Sequence, residues 1–381
     1  MKFCISLGTI ELKYIIYCFL SVILYIYIYY CIVDSKEKNI ITEHELLYSF
    51  CYFLGYLLNV IPEWIVDIKS ETKERPKINK VLNFFLYCLI TLFIGLIKST
   101  LSLINNKKEE NDNKNENNIG IYDDDFMIIE YLIIFLVSKY AYNIEVYYKH
   151  QNISFLILIL VEATKNIYFF IIKNSYQISD IIIIILVIIN SILYSISYLY
   201  IKGLMKYNFI SPYRCNYKVG IINVPLIIII YIIISFTPLG NNDNDFYCDN
   251  IFALFREGIN DIEDIIFLIS LPFAYGILLS LINKIIYEYT IYHIYIPILI
   301  EYFIRNIIKN LGLVENIILI SSFLIELIMI LVFVEIIEIK YCGLDENLKR
   351  NIELRGMRDS STNIEVDDDF DETKDFKETN K

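Results

Sequence analysis

The chain has 381 residues, of which 56% are hydrophobic, and its mean hydropathy is +0.50. This composition excludes an ordinary soluble globular protein and indicates that lipid is the main solvent. The formal net charge of −12 says little about partners, because two low-complexity polar segments, 107–125 and 359–381, carry −10 of it. Polar segments of this kind are typical of disordered chain.

Ten hydrophobic segments follow one another along the chain, and each is near the roughly 20 residues that a helix needs to cross a bilayer. They are 14–33, 46–66, 81–104, 126–146, 152–172, 178–201, 219–238, 265–287, 290–308 and 313–337. No small-residue cleavage pattern follows the first segment, so it is predicted to remain as an anchor. The fourth and ninth segments are the weakest, since Glu130, Lys139, Glu301 and Arg305 interrupt them.

Basic residues are distributed unevenly between the two sides of this predicted topology. The side that holds both ends of the chain has 18 lysines and arginines outside the spans, and the other side has 8. The clearest case is the turn 205–220, which has three basic residues, a Ser-Pro pair and no acid. The positive-inside rule therefore predicts that both termini are cytosolic. We expect a multi-pass protein of an endomembrane rather than of the plasma membrane.

The central basic turn divides the ten segments into two sets of five. Since five is odd, two similar halves would have opposite orientations, as in many transporters. Pro62 and Pro238 lie near the ends of the second and seventh segments, and Gly95 and Pro272 interrupt the third and eighth. Glycine and proline are also common in unrelated membrane helices. The predicted fold class is an all-α polytopic membrane protein, with about ten transmembrane helices as two inverted five-helix repeats.

The corresponding domain boundaries place the first five-helix half at 1–177 and the second at 178–340. Within the first half, 106–125 is predicted to be a disordered loop. The segment 341–381 is predicted to be a cytosolic, disordered, acidic tail.

Charged residues inside the predicted spans are the strongest indication of a site, because each central ion costs about 2.5–3.5 kcal/mol on insertion scales. Glu162 and Lys165 are three residues apart, and Glu301 and Arg305 are four apart, so each pair can meet on one helix face. Such pairs either neutralise themselves or line a cavity for a charged solute. The candidate substrate-binding residues are Lys98, Lys139, Glu162, Lys165, His293, Glu301, Arg305 and Glu326.

Single residues in this set leave alternatives open. Lys98 is close enough to the end of its span for its ammonium to reach the headgroups. Glu326 is compatible with proton coupling, with a pair to Lys165, or with a neutral buried acid. His293 is compatible with packing on a helix face as well as with a proton relay. The tyrosines that crowd the first segment suit either the membrane interface or a cavity wall.

Motifs for catalysis and metal binding are absent from the sequence. The eight cysteines have no C-x-x-C spacing and the three histidines lie far apart, so no metal ion is expected. No nucleophile elbow, phosphate-binding loop or H-E-x-x-H pattern occurs. The sequence therefore predicts neither an enzyme nor a cofactor, and no basic-aromatic surface suggests nucleic acid.

The second half resembles a known family of carriers. The residues that carry the resemblance are ISDIIIIILVIINSILYSISYLYIKGLMKYNFISPYRCNYKVGIINVP, the stretches TPLGN and FALFREG, and YEYTIYHIYIPILIEYFIRNIIKNLGLVENIILI. They are similar to the drug/metabolite transporter superfamily, in its solute-carrier-35-like, nucleotide-sugar-transporter-related branch. The first half is similar chiefly at YYKHQNISFLILIL. The resemblance implies a ten-helix carrier that works by alternating access. The chain departs from the family's pattern at His293, Pro297 and Val219-Gly220.

The function predicted from these features is a secondary transporter for a small polar or anionic solute. A non-transporting membrane scaffold that kept a transporter-like fold stays open as the alternative. The expected partners are the lipid bilayer and a small-molecule solute, no nucleic acid is expected, and homodimer formation stays open. The sequence identifies neither the solute nor the coupling ion.

Overall fold

The computed structural model describes residues 4–7, 11–37, 45–69, 81–112, 127–141, 148–172, 178–208, 210–237, 252, 262–308 and 313–340. Within these residues the chain is nearly all helical. Seven helical stretches in the described part are long and apolar enough to cross a membrane: Leu12–Ile32, Leu46–Ile65, Phe84–Leu101, Ile181–Lys206, Pro212–Ser235, Leu268–Glu288 and Asn316–Phe333. The chain is therefore a helical membrane protein, as its composition predicts.

Each of the ten predicted segments contains helix. The first five correspond to α1 Leu12–Glu37, α2 Glu45–Leu58 with α3 Val60–Lys69, α4 Val81–Asp112, α5 Met127–Leu136 and α6 Lys149–Ile172. A π-helical turn, Val137–Ala141, continues α5. The other five are α7 Ile178–Asn208, α8 Pro212–Ser235, α9 Ile262–Glu288, α10 Tyr295–Ile308 and α11 Leu313–Phe333, with a 3₁₀ turn, Ile291–Ile294, before α10.

The helix of the seventh predicted segment, α8, begins earlier than hydropathy predicts, at Pro212 instead of 219. Ser211 is its N-cap, and the Ser211 hydroxyl accepts a hydrogen bond of 3.0 Å from the backbone N–H of Arg214. Proline at the first helical position needs no backbone donor, so it fits this start. The first helical turns are polar, and a hydropathy window therefore misses them. The described part of the basic stretch 205–220 is consequently mostly helix, since α7 ends at Asn208 and α8 begins at Pro212.

Two predicted loop regions also differ in extent. Helix α4 continues to Asp112, so residues 106–112 of the predicted loop 106–125 are helical. The remainder of that loop and the predicted tail 341–381 lie outside the described residues. The fourth segment is an α-helix for only ten residues before the π-helical turn begins.

A two-stranded antiparallel sheet, formed by β1 Cys4–Leu7 and β2 Ile337–Lys340, is an exception to the all-α prediction. Cys4 is opposite Lys340, and Leu7 is opposite Ile337. Because β1 precedes α1 and β2 follows α11, the sheet brings together the two ends of the helical bundle's chain. Both ends therefore lie on the same side of the bundle.

Helices from the two halves of the chain pack against each other. Helix α2 packs on α8 and α9, α4 on α7 and α8, and α6 on α11. Helix α1 packs on α9 and α10, and α5 on α7.

The closest crossings depend on glycine. A Cβ at Gly220 of α8 would lie 2.4 Å from the backbone nitrogen of Leu57 in α2, and one at Gly55 would lie 2.8 Å from the Gly276 nitrogen in α9. These two crossings hold α2 against α8 and α9 with backbones in direct contact.

Candidate functional site

A polar cavity of about 260 Å³ lies between the two halves of the chain. Its walls come from α1, α2, α4, α5, α7, α9 and α10, so both halves contribute. Four charged side chains line it: Lys98, Glu130, Glu301 and Arg305. Their formal charges sum to zero, which suits a solute with both polar and charged groups more than a strongly charged ion.

The charged residues of the cavity are held by neighbours on other helices and on their own. Glu301 and Arg305, one turn apart on α10, form an ion pair of 3.7 Å. The Tyr295 hydroxyl donates a hydrogen bond of 2.9 Å to Glu130 on α5. The Lys98 ammonium lies 5.0 Å from the ring centroid of Tyr194 on α7. All four charged groups are thus positioned by an aromatic ring, a hydroxyl or an ion pair.

Aromatic side chains form much of the remaining wall. Nine tyrosines among the described residues line the cavity: Tyr25, Tyr29, Tyr52, Tyr56, Tyr87, Tyr194, Tyr198, Tyr275 and Tyr295. The guanidinium of Arg305 lies 5.4 Å from the ring centroid of Tyr29. Tyrosine offers both an apolar face and a hydroxyl, so this wall can hold a solute by stacking and by hydrogen bonding.

One end of the bundle, where α1 begins and α9 ends, is closed by direct contacts between helices. The Tyr14 hydroxyl donates to the His293 carbonyl at 2.9 Å, and the Lys202 ammonium donates to the Tyr289 carbonyl at 3.0 Å. Lys13 and Glu288 form an ion pair of 2.7 Å. The cavity residues of α1 begin at Tyr25, about 17 Å further along the helix than Tyr14 at 1.5 Å per residue. On α7 and α10, however, the cavity lining reaches Ile201 and Tyr295, next to the closing residues Lys202 and His293. These contacts therefore close one end of the cavity.

Tyr289, between α9 and the 3₁₀ turn, joins this closure through its side chain. Its hydroxyl donates to Glu11 Oε2 at 2.6 Å. Burial, followed by the hydrogen bond to Glu11, raises the pKa of the Tyr289 phenol above its ordinary value. The phenol therefore remains a hydrogen-bond donor at neutral pH.

Buried asparagines connect α2, α8 and α9 beside the cavity. The Asn59 amide donates to the Gly276 carbonyl at 3.2 Å, and Asn216 donates to the Asn59 side-chain oxygen at 3.2 Å. Asn283, which lines the cavity, donates in turn to Asn216. Since Asn59 and Asn216 are almost fully buried, this chain of amides fixes three helices relative to one wall of the cavity.

Three of the predicted site residues form a separate buried cluster between α6 and α11. Lys165 lies 2.5 Å from Glu162 and 3.6 Å from Glu326. None of the three lines the cavity. The sequence spacing of Glu162 and Lys165 indicates their pairing correctly, and the structure adds Glu326 from the other half of the chain.

The remaining predicted site residues lie elsewhere. Lys139 is in the π-helical turn, with its ammonium 5.2 Å from the Phe135 ring centroid, and it does not line the cavity. His293, in the ninth predicted segment, lies in the 3₁₀ turn at the closed end and not in α10, because Thr290 is the N-cap of that turn. The structure therefore brings together Lys98, Glu301 and Arg305 of the predicted set.

Sequence reasoning left Glu130 and the buried asparagines out of the predicted site. Glu130 was recognised as a charge that interrupts the fourth segment, but it was not included among the predicted substrate-binding residues. Asn59, Asn216 and Asn283 are amides within otherwise apolar helices, and that contrast is the signal that could have identified them.

The fold and the cavity define a polytopic helical membrane protein with a polar internal cavity. Comparison of the sequence with protein-family models gives no match, and comparison with curated proteins gives no significant match. The function is therefore inferred from the geometry.

Proposed function

We propose that the chain is a secondary transporter that moves a small polar or anionic solute across the membrane by alternating access. The observation that carries the proposal is the cavity between the two halves, with four charged residues and a tyrosine-rich wall. Charged side chains inside a membrane protein are costly unless they face such an interior. A chain that served only as a scaffold would gain nothing from keeping two acids and two bases around a space.

The pattern of helix contacts supports two inverted five-helix repeats. A twofold rotation that relates the halves would exchange five pairs of helices: α1 with α7, α2 with α8, α4 with α9, α5 with α10, and α6 with α11. The exchange converts α2–α9 into α8–α4, α4–α7 into α9–α1, and α5–α7 into α10–α1, and all six contacts occur. It leaves α2–α8 and α6–α11 unchanged, as expected for contacts across a twofold axis. Of the contacts in the described residues, α7–α9 has no equally extensive counterpart between α1 and α4.

Two hydrogen bonds donated by buried asparagine side chains also fit the exchange of the two halves. Asn59, directly after α2, donates to a backbone carbonyl of α9, at Gly276. Asn223 of α8 donates to a backbone carbonyl of α4, at Cys88, at 3.0 Å. Under the exchange of halves, each of these bonds corresponds to the other. Inverted repeats of this kind underlie alternating access in many carriers, since one half can rock against the other.

Ten crossings are proposed even though only seven stretches satisfy the criteria of length and hydropathy in the described part. The other three crossings would be α5, α6 and α10. These helices carry Glu130, the Glu162–Lys165 pair and the Glu301–Arg305 pair, respectively. Helix α5, with 10 residues, and α10, with 14, fall short of the 18 residues that the length criterion requires. The charges on these helices face the bundle interior. An even number of crossings agrees with the pairing of β1 and β2 on one side.

The excess of basic residues on the side of the strand pair supports a cytosolic location for the closed end. The described conformation would then be closed toward the cytosol. Transport would require Tyr14 and Lys202 to release their carbonyl partners on the 3₁₀ turn side. The resemblance of the second half to the drug/metabolite transporter superfamily is consistent with this cycle and remains part of the proposal.

The test is solute exchange by the purified protein in proteoliposomes, with a panel of nucleotides, sugars, amino acids and amphipathic cations. We expect exchange of at least one polar solute. Lys98→Ala removes a charged cavity contact and should weaken apparent affinity about 10- to 150-fold, since a hydrogen bond to a charged group is worth about 1.5–3 kcal/mol. Lys206→Ala, on an exposed face of α7 outside the cavity, is the matched control.

Two results would count against the proposal. Failure of the folded protein to exchange any member of the panel would favour the scaffold alternative. Equal effects of Lys98→Ala and Lys206→Ala on a measured exchange would show that the solute passes by another route.

A further inference from the structure

A buried cluster of three ionisable side chains lies at the interface of α6 and α11, outside the solute cavity. It comprises Glu162 and Lys165 on α6 and Glu326 on α11, which are 0%, 4% and 2% exposed. Lys165 Nζ lies 2.5 Å from Glu162 Oε2 and 3.6 Å from Glu326 Oε1. The cluster thus has two carboxyl groups and one ammonium in a space closed to solvent.

The charges of these three groups do not balance if all are ionised. Burying a charge without a partner costs several kcal/mol per ion, even after the protein relaxes around it. Glu162 Oε1 finds no hydrogen-bond donor among the described residues, so hydrogen bonds do not compensate for a second negative charge. One bound proton makes the cluster neutral, with one carboxylate, one carboxylic acid and one ammonium.

Among the described residues, groups on the surrounding helices do not supply the missing positive charge: Arg305, on the far side of the Tyr302 ring, is paired with Glu301. Tyr131 of α5 and Tyr302 of α10 face the cluster, and both are phenols. His150 and Glu335 form a pair of 3.3 Å at the other end of the same interface. His150 is twelve residues before Glu162, which is about 18 Å along α6.

We propose that Glu162, Lys165 and Glu326 form a proton-binding site that couples solute movement to the movement of protons. The proton resides on Glu326, because Lys165 lies closer to Glu162 than to Glu326. This inference rests on the proposed transport function, and it adds a second ligand, H⁺, at a second site.

The position of the site explains how a proton there can affect the cavity. The ring centroid of Tyr302 is 5.2 Å from the Lys165 ammonium and 5.7 Å from the Arg305 guanidinium. Arg305 lines the cavity and pairs with Glu301. A change of charge at Glu326 alters the pull on Lys165, and Tyr302 transmits the change to Arg305. Proton binding and solute binding then influence each other reciprocally, as linkage requires.

The interface itself provides access for the proton. Helices α6 and α11 belong to different halves of the chain and contact each other across the proposed twofold axis. When the halves rock, this interface opens and water reaches Glu326. The carboxylic acid then loses its proton to water, and the site closes again only after a proton returns.

The first experiment compares pH-driven accumulation with exchange at equal pH, in the same proteoliposomes. For one proton per solute, a gradient of one pH unit drives accumulation up to about tenfold. Glu326→Gln keeps a neutral side chain at all pH values and should abolish accumulation, while exchange shows whether the variant still carries solute. Glu335→Gln, at the other end of the interface, should accumulate solute like the unmodified protein. Full pH-driven accumulation by Glu326→Gln would overturn the proposal.

The second experiment does not depend on transport. A hydrophobic carbodiimide reacts with a protonated carboxyl: the acid proton moves to a carbodiimide nitrogen, and the carboxylate oxygen bonds to the central carbon. The adduct rearranges to a stable acylurea that mass spectrometry can locate. We expect labelling of Glu326 at neutral pH that decreases as the pH rises, and much less labelling of the ion-paired Glu301.

The two experiments separate failure of this inference from failure of the proposed function. If no solute exchanges but Glu326 is labelled with the expected pH dependence, the proton site stands and the transport proposal fails. If solutes exchange but Glu326 remains unlabelled at every pH at which the protein is folded, the proton site is refuted and transport stands.

Discussion

Replacement of Gly220 by alanine tests the closest helix crossing in the structure. The new Cβ would lie 2.4 Å from the backbone nitrogen of Leu57 and 2.6 Å from its Cα, whereas ordinary contacts begin at 3.4 Å. Because the obstacle is backbone and cannot rotate away, α2 and α8 must separate by about 1 Å. Overpacking costs up to about 3 kcal/mol, and the better helix propensity of alanine offsets about 1 kcal/mol. The expected net loss of folding free energy is about 2 kcal/mol.

Gly203→Ala is the matched control, because a Cβ at Gly203 in α7 meets no atom within 4 Å. It should leave stability unchanged or raise it by up to about 1 kcal/mol. The assay is reversible unfolding in mixed micelles with increasing dodecyl sulfate, followed by circular dichroism. A loss of 2 kcal/mol corresponds to about a 30-fold change in the unfolding equilibrium constant.

The comparison of these two variants can refute the packing directly. If Gly220→Ala and Gly203→Ala unfold at the same detergent fraction, α2 and α8 do not cross with their backbones in contact. The proposed twofold relation between the halves would then lose the α2–α8 contact, which lies on its axis.

The remaining predictions concern the amide network, the strand pair and the closed end. Asn59→Ala should cost about 1–3 kcal/mol in the same unfolding assay, because it leaves buried polar partners without hydrogen bonds. Cysteines at Ser6 and Glu338, which face each other in the register, should cross-link readily, whereas cysteines at Ser6 and Ile337 should not; equal cross-linking would contradict the register. Tyr14→Phe removes one hydrogen bond, worth about 0.5–1.5 kcal/mol, from the closed end. It should increase the population open at that end about 2- to 12-fold, measured as thiol labelling from the side of the closed end. No change in labelling would contradict the role of this bond in closing that end.

The helical segments could be predicted because apolar length is a local property of the sequence. Helix ends were harder, since they depend on caps and on tertiary contacts. At α8 the signal was present in Ser211 and Pro212, and it lay in a stretch too polar for a hydropathy window. The break between α2 and α3 at Asn59 had a partial signal in Pro62, whose ring nitrogen cannot donate a hydrogen bond to the Leu58 carbonyl. The geometry of the break also depends on hydrogen bonds to two other helices, which the sequence does not show.

The cavity could be predicted only in part, for a geometric reason. Intramembrane charges indicate that a residue is buried, and helical spacing indicates which neighbour on the same helix it can reach. Neither property shows which other helix a residue faces. Lys98 and Arg305 line the cavity while Lys165 and Glu326 do not, although all four are charged residues within predicted spans. The bond between Tyr295 and Glu130 joins residues 165 positions apart, and no local pattern encodes it.

The pairing of β1 with β2 has a consequence for the order in which the protein is made. Cys4 and Lys340 are partners in the sheet, so 336 further residues must be synthesised after Cys4 before the pair is complete. At about 5–20 residues per second, β1 waits roughly 20–70 s for the strand that completes it. During that time every helix is inserted in turn, and the exposed edge of β1 has no native strand to pair with. The sheet is therefore the last part of the described chain to form, and its presence distinguishes a finished molecule from a nascent one.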